Sequence, residues 1–223
     1  VAHADGAVVA ENCIFEDTTV KQSTQKDGML QVTDMKAGSS LTVTGCTFED
    51  LKMTADTGSN EFVAIYNNGT PDSITVTGST FRNIAGTALS LRGSDDITIT
   101  SNTFENWADE SIDNAGRAVR VDFGSRTGEQ SLTFTENKLI AGTNAKESYV
   151  KIGEIAENNA DKVTLNVGKN YWDGKDPATG TVNSTETPVL EIVMGGETLT
   201  SDELRTNDSI TGEDTYYIRD TMR

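Results

Sequence analysis

The 223-residue chain is 35% hydrophobic, enough for one sizeable folded domain or two small ones, and it holds no apolar run near the 18 residues that a membrane-spanning helix needs. Its formal net charge of −17 opposes long-range attraction to a nucleic-acid backbone or an anionic membrane surface. With His3 as the single histidine, Ser-His-Asp and Cys-His catalysis are nearly excluded, and two cysteines are too few for a disulfide framework.

No charged-then-apolar leader opens the chain. Instead, one pattern recurs along it: "VVAENCIF" from Val8, "LTVTGCTF" from Leu41, "ITVTGSTF" from Ile74, "ITITSNTF" from Ile97, "LTFTENKL" from Leu132 and a degenerate "LNVGKNYW" from Leu165. Successive starts lie 33, 33, 23, 35 and 33 residues apart, so the unit is a solenoid coil with loops of variable length. Across the copies the first and third positions are mostly aliphatic and the second and fourth mostly threonine, the period of a strand with one buried face. The sixth position reads Cys13, Cys46, Ser79, Asn102, Asn137 and Asn170. This column of small polar residues falls at a bend, where stacked amides can pair from coil to coil. The eighth position, Phe15, Phe48, Phe81, Phe104, Leu139 and Trp172, supplies one large core group per coil.

A third strand follows the long loops: "MLQV" at 29, "FVAIY" at 62, "ALSL" at 88, "AVRV" at 118 and "YVKI" at 149. Three strands per coil make a parallel β-helix of about six rungs over residues 1–172, a column ~25 to 30 Å tall at a strand spacing of about 4.8 Å. Residues 173–223, with "PVLEIVM" and "TYYIRD" as strands, are expected to form a small β-rich C-terminal cap. No amphipathic helix covers the first rung, so Val1 is expected to begin inside a longer polypeptide, to meet a neighbouring domain or to support self-association.

The order of strand, asparagine turn, short strand, long loop and third strand resembles the right-handed β-helices of the pectate lyase-like superfamily. The "NYWDG" ending at Gly174 also resembles the closing rung of β-helix regions in bacterial surface proteins. The resemblance implies a right-handed coil, an extracellular, cell-surface or secreted setting, and a ligand face on the third strands. By alternation the outward residues there are Gln31, Thr33, Ala64, Tyr66, Ser90, Arg92, Arg120, Asp122 and Lys151. A uronic-acid lyase needs a carboxylate neutraliser, a base and often Ca²⁺. Arg92, Arg120 and Lys151 are candidates for the first two roles, and Asp122 for a place beside the metal. The competing reading, cross-strand ion pairs in solvent, is preferred.

Four other features carry function candidates. Asp95, Asp96, Asp109, Glu110 and Asp113 offer carboxylate pairs of the glycosidase kind, although solvated loop acids are the plainer reading. The threonines at 42, 44, 75, 77, 98, 100, 133 and 135 resemble the array of ice-binding solenoids, interrupted by Val9, Glu11, Asn166 and Gly168. Cys13 and Cys46 are neighbours in one column and are read as reduced thiols, since parallel side chains suit a disulfide dihedral poorly. Tyr66 and Trp107 can stack on sugar rings, but a lid over the core is the preferred place for Trp107. Asn68, Asn183 and Asn207 each open an N-x-S/T triplet. The sequence thus points to a non-catalytic, adhesin-like module of a larger bacterial surface protein, a rigid spacer that binds a glycan or a host or cell-surface protein through Tyr66, Arg92, Trp107, Arg120 and Lys151. A polysaccharide lyase is the alternative, and an ice binder the third reading.

Overall fold

The structure is a computed structural model that describes residues 2–3, 5–21, 28–54, 63–109, 116–124, 128–182 and 186–205. It is an all-β solenoid of parallel stacked coils with three long sheets. The threonine sheet runs through Ala7–Glu11, Ser40–Thr44, Ser73–Thr77, Asp96–Thr100, Gln130–Thr135 and Val163–Asn166, one strand per repeat and parallel throughout. After the bend comes the phenylalanine sheet, Ile14–Glu16, Thr47–Thr54, Thr80–Ile84, Thr103–Trp107, Lys138–Ile140 and Tyr171–Trp172. Beyond the long loops lies the third sheet, Ala2–His3, Gly28–Met35, Val63–Gly69, Thr87–Arg92, Val119–Asp122, Val150–Ile155, Leu190–Met194 and Glu197–Thr198.

The repeat column at the bend explains why the coils stack in this register. The residue before it takes a left-handed backbone in every copy, at Asn12, Gly45, Gly78, Ser101, Glu136 and Lys169, with φ between 52° and 61°. That conformation turns the chain out of one sheet and into the next, and it takes the following N–H out of the strand ladder. The side chain one coil later supplies the missing acceptor. The Cys13 N–H donates to Cys46 Sγ at 3.4 Å, Cys46 to Ser79 Oγ at 3.1 Å, Ser79 to Asn102 Oδ1 at 2.9 Å, Asn102 to Asn137 Oδ1 at 3.0 Å and Asn137 to Asn170 Oδ1 at 2.9 Å. Each asparagine also donates backwards, from Asn102 to Val76 O, Asn137 to Ile99 O and Asn170 to Phe134 O, while Asn102 and Asn137 pair amides with the next coil at 3.1 Å. No buried side-chain nitrogen or oxygen of this column is without a partner, which is what a buried bend requires.

A second ladder runs at the far end of the phenylalanine strands. Asp50, Asn83 and Asn106 are again left-handed, and Asn106 donates to Asn83 Oδ1 at 2.9 Å as Asn83 does to Asp50 at 2.8 Å. In the next coil Gly142 occupies the place where any side chain would collide with Asn106 Oδ1, at 1.9 Å from an added Cβ.

The core lies between these ladders. Phe15, Phe48, Phe81 and Phe104 stack face to face with centroids 4.6, 4.9 and 5.0 Å apart, followed by Leu139 and then Trp172, which meets Phe134 at 6.0 Å. Ring spacing equals strand spacing, so the register that satisfies the ladder also stacks the rings. Both cysteines are free thiols, and Cys46 is buried, which pushes its thiol up against the lesser pull of the Cys13 N–H.

Within the C-terminal segment, Leu190–Met194 pairs parallel with Val150–Ile155 and supplies the third strand of the sixth coil. The closing elements are the antiparallel strand Glu197–Thr198, a bridge between Thr181 and Pro188, and the short helix Ser201–Arg205, which buries Leu204. The "TYYIRD" segment lies outside the described residues.

Candidate functional site

The third sheet places most of the sequence-derived candidates in one register. Gln31, Tyr66, Ser90, Arg120, Lys151 and Glu191 form one row across the strands, and Arg92, Asp122 and Gly153 form the row two residues further on. Short cross-strand distances let these rows interact. Asp122 is 1% exposed, and its Oδ2 accepts from Arg120 Nε at 2.9 Å and faces Arg92 Nε at 3.8 Å. Lys151 Nζ donates to Glu191 Oε1 at 2.6 Å, and Ser148 Oγ to Glu191 Oε2 at 2.9 Å. Arg117 extends the network, bonding Ser148 through Nε and pairing with Glu147. Burial alone would raise the Glu191 carboxyl, but the hydrogen bonds from Lys151 and Ser148, with the charges of Lys151 and Arg117, hold it below the usual range.

Two residues shape the site from beneath and from its edge. Asn67, fully buried on the inward side, clamps the Arg92 backbone by accepting from its N–H and donating to its carbonyl, both at 2.9 Å. Gly93, with φ of 70°, lets the strand end pass within reach of Gly69, whose carbonyl oxygen would lie 2.1 Å from any Cβ there. Beside them a shallow cleft of about 290 Å³ is lined by Asn68, Thr70, Arg92, Gly93, Asp122 and Gly124.

Not every candidate lies at this cleft. Tyr66 faces the outer side of the sheet, as alternation requires, yet it is only 8% exposed; Ala64 and Ser90 beside it are fully buried. Alternation fixes the side of a sheet, not whether other chain covers that side. Trp107 takes the lid position in the core, 1% exposed and packed edge-on to Tyr149 at 4.9 Å. It follows the left-handed Asn106 and pairs with Ile84, an inward position, so its ring is not offered for stacking on a ligand.

Asp96 accepts from Ser131 Oγ at 2.7 Å on the threonine sheet, and Asp95 borders a second hollow of about 410 Å³ with Glu129 and Lys162. Glu110 and Asp113 lie outside the described residues, as do Asn183 and Asn207, while Asn68 is half-buried at the cleft. The threonine columns are in register across four coils, but the Thr77 and Thr100 hydroxyls bond one another at 3.2 Å. Among the described residues no group of three or more His, Cys, Asp or Glu is placed to share a metal ion.

Glu191, Ser148, Arg117 and Asn67 are the members that sequence reasoning missed. Glu191 was legible in principle, because "LEI" alternates in step with "VKI" at Val150, and Asn67 is an asparagine at an inward strand position. Compared with protein-family models, with curated proteins and with solved structures, the chain matches none.

Proposed function

We propose that this chain is a non-catalytic module of the pectate lyase-like β-helix kind, part of a larger bacterial surface or secreted protein, that serves as a rigid spacer and binds a glycan or a cell-surface protein over its third sheet. The observation that carries this reading is the internal pairing of the cations. Arg120 and Arg92 converge on Asp122, and Lys151 is held by Glu191. A lyase needs a base ready to take a proton from its substrate, whereas Lys151 and Arg120 already donate to carboxylates within the sheet. An array of donors and acceptors fixed on rigid strands suits recognition, since little side-chain freedom remains to be lost on binding.

The test is a glycan array and a panel of uronic-acid polymers, run with and without Ca²⁺. Retention without turnover is expected, weakened about tenfold or more by Arg92→Ala, whose side chain borders the cleft. Accumulation of an unsaturated uronate product, seen as a rise in ultraviolet absorbance and lost in Arg120→Ala, would establish the lyase reading instead.

A further inference from the structure

The column at the bend changes its chemistry along the stack. From the third coil onward it holds Ser79, Asn102, Asn137 and Asn170, whose bonds to neighbouring coils run from 2.8 to 3.1 Å. In the first two coils it holds Cys13 and Cys46, and the sulfur contacts are longer. Cys46 Sγ accepts from the Cys13 N–H at 3.4 Å and meets Ala10 O at 3.4 Å and Thr44 O at 3.5 Å, while Cys13 Sγ meets Glu11 O at 3.4 Å. A thiol is a weak donor and a weak acceptor, so the ladder alone does not call for cysteine at either position.

The register brings the two sulfurs together. Glu11 pairs with Thr44 and Ile14 with Thr47, so Cys13 and Cys46 stand one above the other. Stacked side chains in these coils repeat at the strand spacing, as the phenylalanine rings do at 4.6 to 5.0 Å. Two metal–sulfur bonds of about 2.3 Å laid end to end span nearly the same length. Both thiols are reduced, Cys46 is buried, and Cys13 packs against the same core. Among the described residues no third His, Cys, Asp or Glu joins them. The pair therefore supplies neither the tetrahedral set that zinc takes nor the oxygen cage of calcium or magnesium, and it suits an ion that two soft ligands satisfy.

We infer that Cys13 and Cys46 form a two-coordinate site for a soft, closed-shell monovalent cation, copper(I) or silver(I), which joins the first coil to the second. On binding, two S–H bonds break, two protons leave to solvent and two metal–sulfur bonds form, with no change of oxidation state. The Cys13 N–H, already directed at Cys46 Sγ, then donates to a thiolate, a stronger bond than it makes to a thiol. Burial holds the Cys46 proton more firmly than usual, so the ion competes with it and binds more weakly as pH falls. The third-sheet face described above plays no part in this site.

The experiment titrates silver nitrate into the whole reduced chain, under argon and in chloride-free buffer. It reads the sulfur-to-silver charge-transfer absorbance, with the unfolding midpoint and sedimentation measured in parallel. Cys13→Ser and Cys46→Ser each keep an acceptor in the column, as Ser79 does for the Cys46 N–H, so the ladder persists; circular dichroism checks the fold. Expected are one silver ion per chain, a rise in the unfolding midpoint on binding, and in either variant a loss of about a hundredfold or more in affinity together with that rise. Two ions of equal affinity per chain, undiminished affinity in either variant, or a silver-bridged dimer in sedimentation would overturn the inference.

Discussion

The threonine sheet and the third sheet are made by the same coils, yet their outer faces hold different chemistry. On the threonine sheet two outward rows repeat threonine across four coils, and in one of them Thr77 bonds Thr100. On the third sheet the corresponding row changes at every step, from Gln31 through Tyr66, Ser90, Arg120 and Lys151 to Glu191, and neighbours interact by opposite charge. The loops that precede the third strands differ in length from coil to coil, so nothing there forces repetition. Periodic rows reveal what the stack needs for stability, and the aperiodic row is where the recognition proposed above would take place.

The sharpest way to break this contrast is in the ladder that both sheets depend on. Asn137→Ala removes the acceptor for the Asn102 N–H, leaving that buried backbone group unpaired, and takes away a donor to Ile99 O. At about 1 to 3 kcal/mol for such a group, a loss of about 1 to 3 kcal/mol is expected in denaturant unfolding. Asn137→Ser, which keeps an acceptor as Ser79 does for Cys46, should lose distinctly less. An equal loss in both variants would show that the amide acts through packing and not through its hydrogen bonds.

The ladder and core were legible in the sequence because each reports a local demand repeated six times. A bend with a left-handed residue needs an outside acceptor for the next N–H, and Asn102, Asn137 and Asn170 recur where it falls. The Phe15 to Phe104 stack follows from the same register. Glu191 was harder to place because the strand that carries it follows a segment with no repeat of its own, and only the tertiary pairing of Leu190–Met194 with Val150–Ile155 brings it beside Lys151. Tyr66 shows the other limit: its side of the sheet follows from alternation, while its burial, at 8% exposed, does not.

A smaller effect sharpens the contrast on the third sheet. The folded-state pKa of Glu191 is lowered from an ordinary 4.5, so its charged form favours folding. That contribution is present in full above the unfolded value and is lost as pH falls through the lower folded one. Asp173 has the opposite sign: burial raises its carboxyl, outweighing the Ala141 N–H and Lys175, so acid relieves part of its cost. Glu191→Gln should therefore flatten the decline of stability below about pH 4.5 while lowering stability at neutral pH. A variant with the parent's full acid dependence would mean that Lys151 and Glu191 are not coupled in solution.

The smallest effect belongs to the threonine sheet. Thr98 is half-exposed between Thr75 and Thr133, and the Thr77 and Thr100 hydroxyls that bond one another lie one row away. Thr98→Val keeps the branched shape that suits a strand and removes only an oxygen that water can satisfy, so stability should stay within about 0.5 kcal/mol. The same variant also tests whether the array has a use beyond packing. If freezing hysteresis is present and falls with Thr98→Val at unchanged stability, the regular face is itself a binding surface; if there is none, its regularity is the outward trace of the stack.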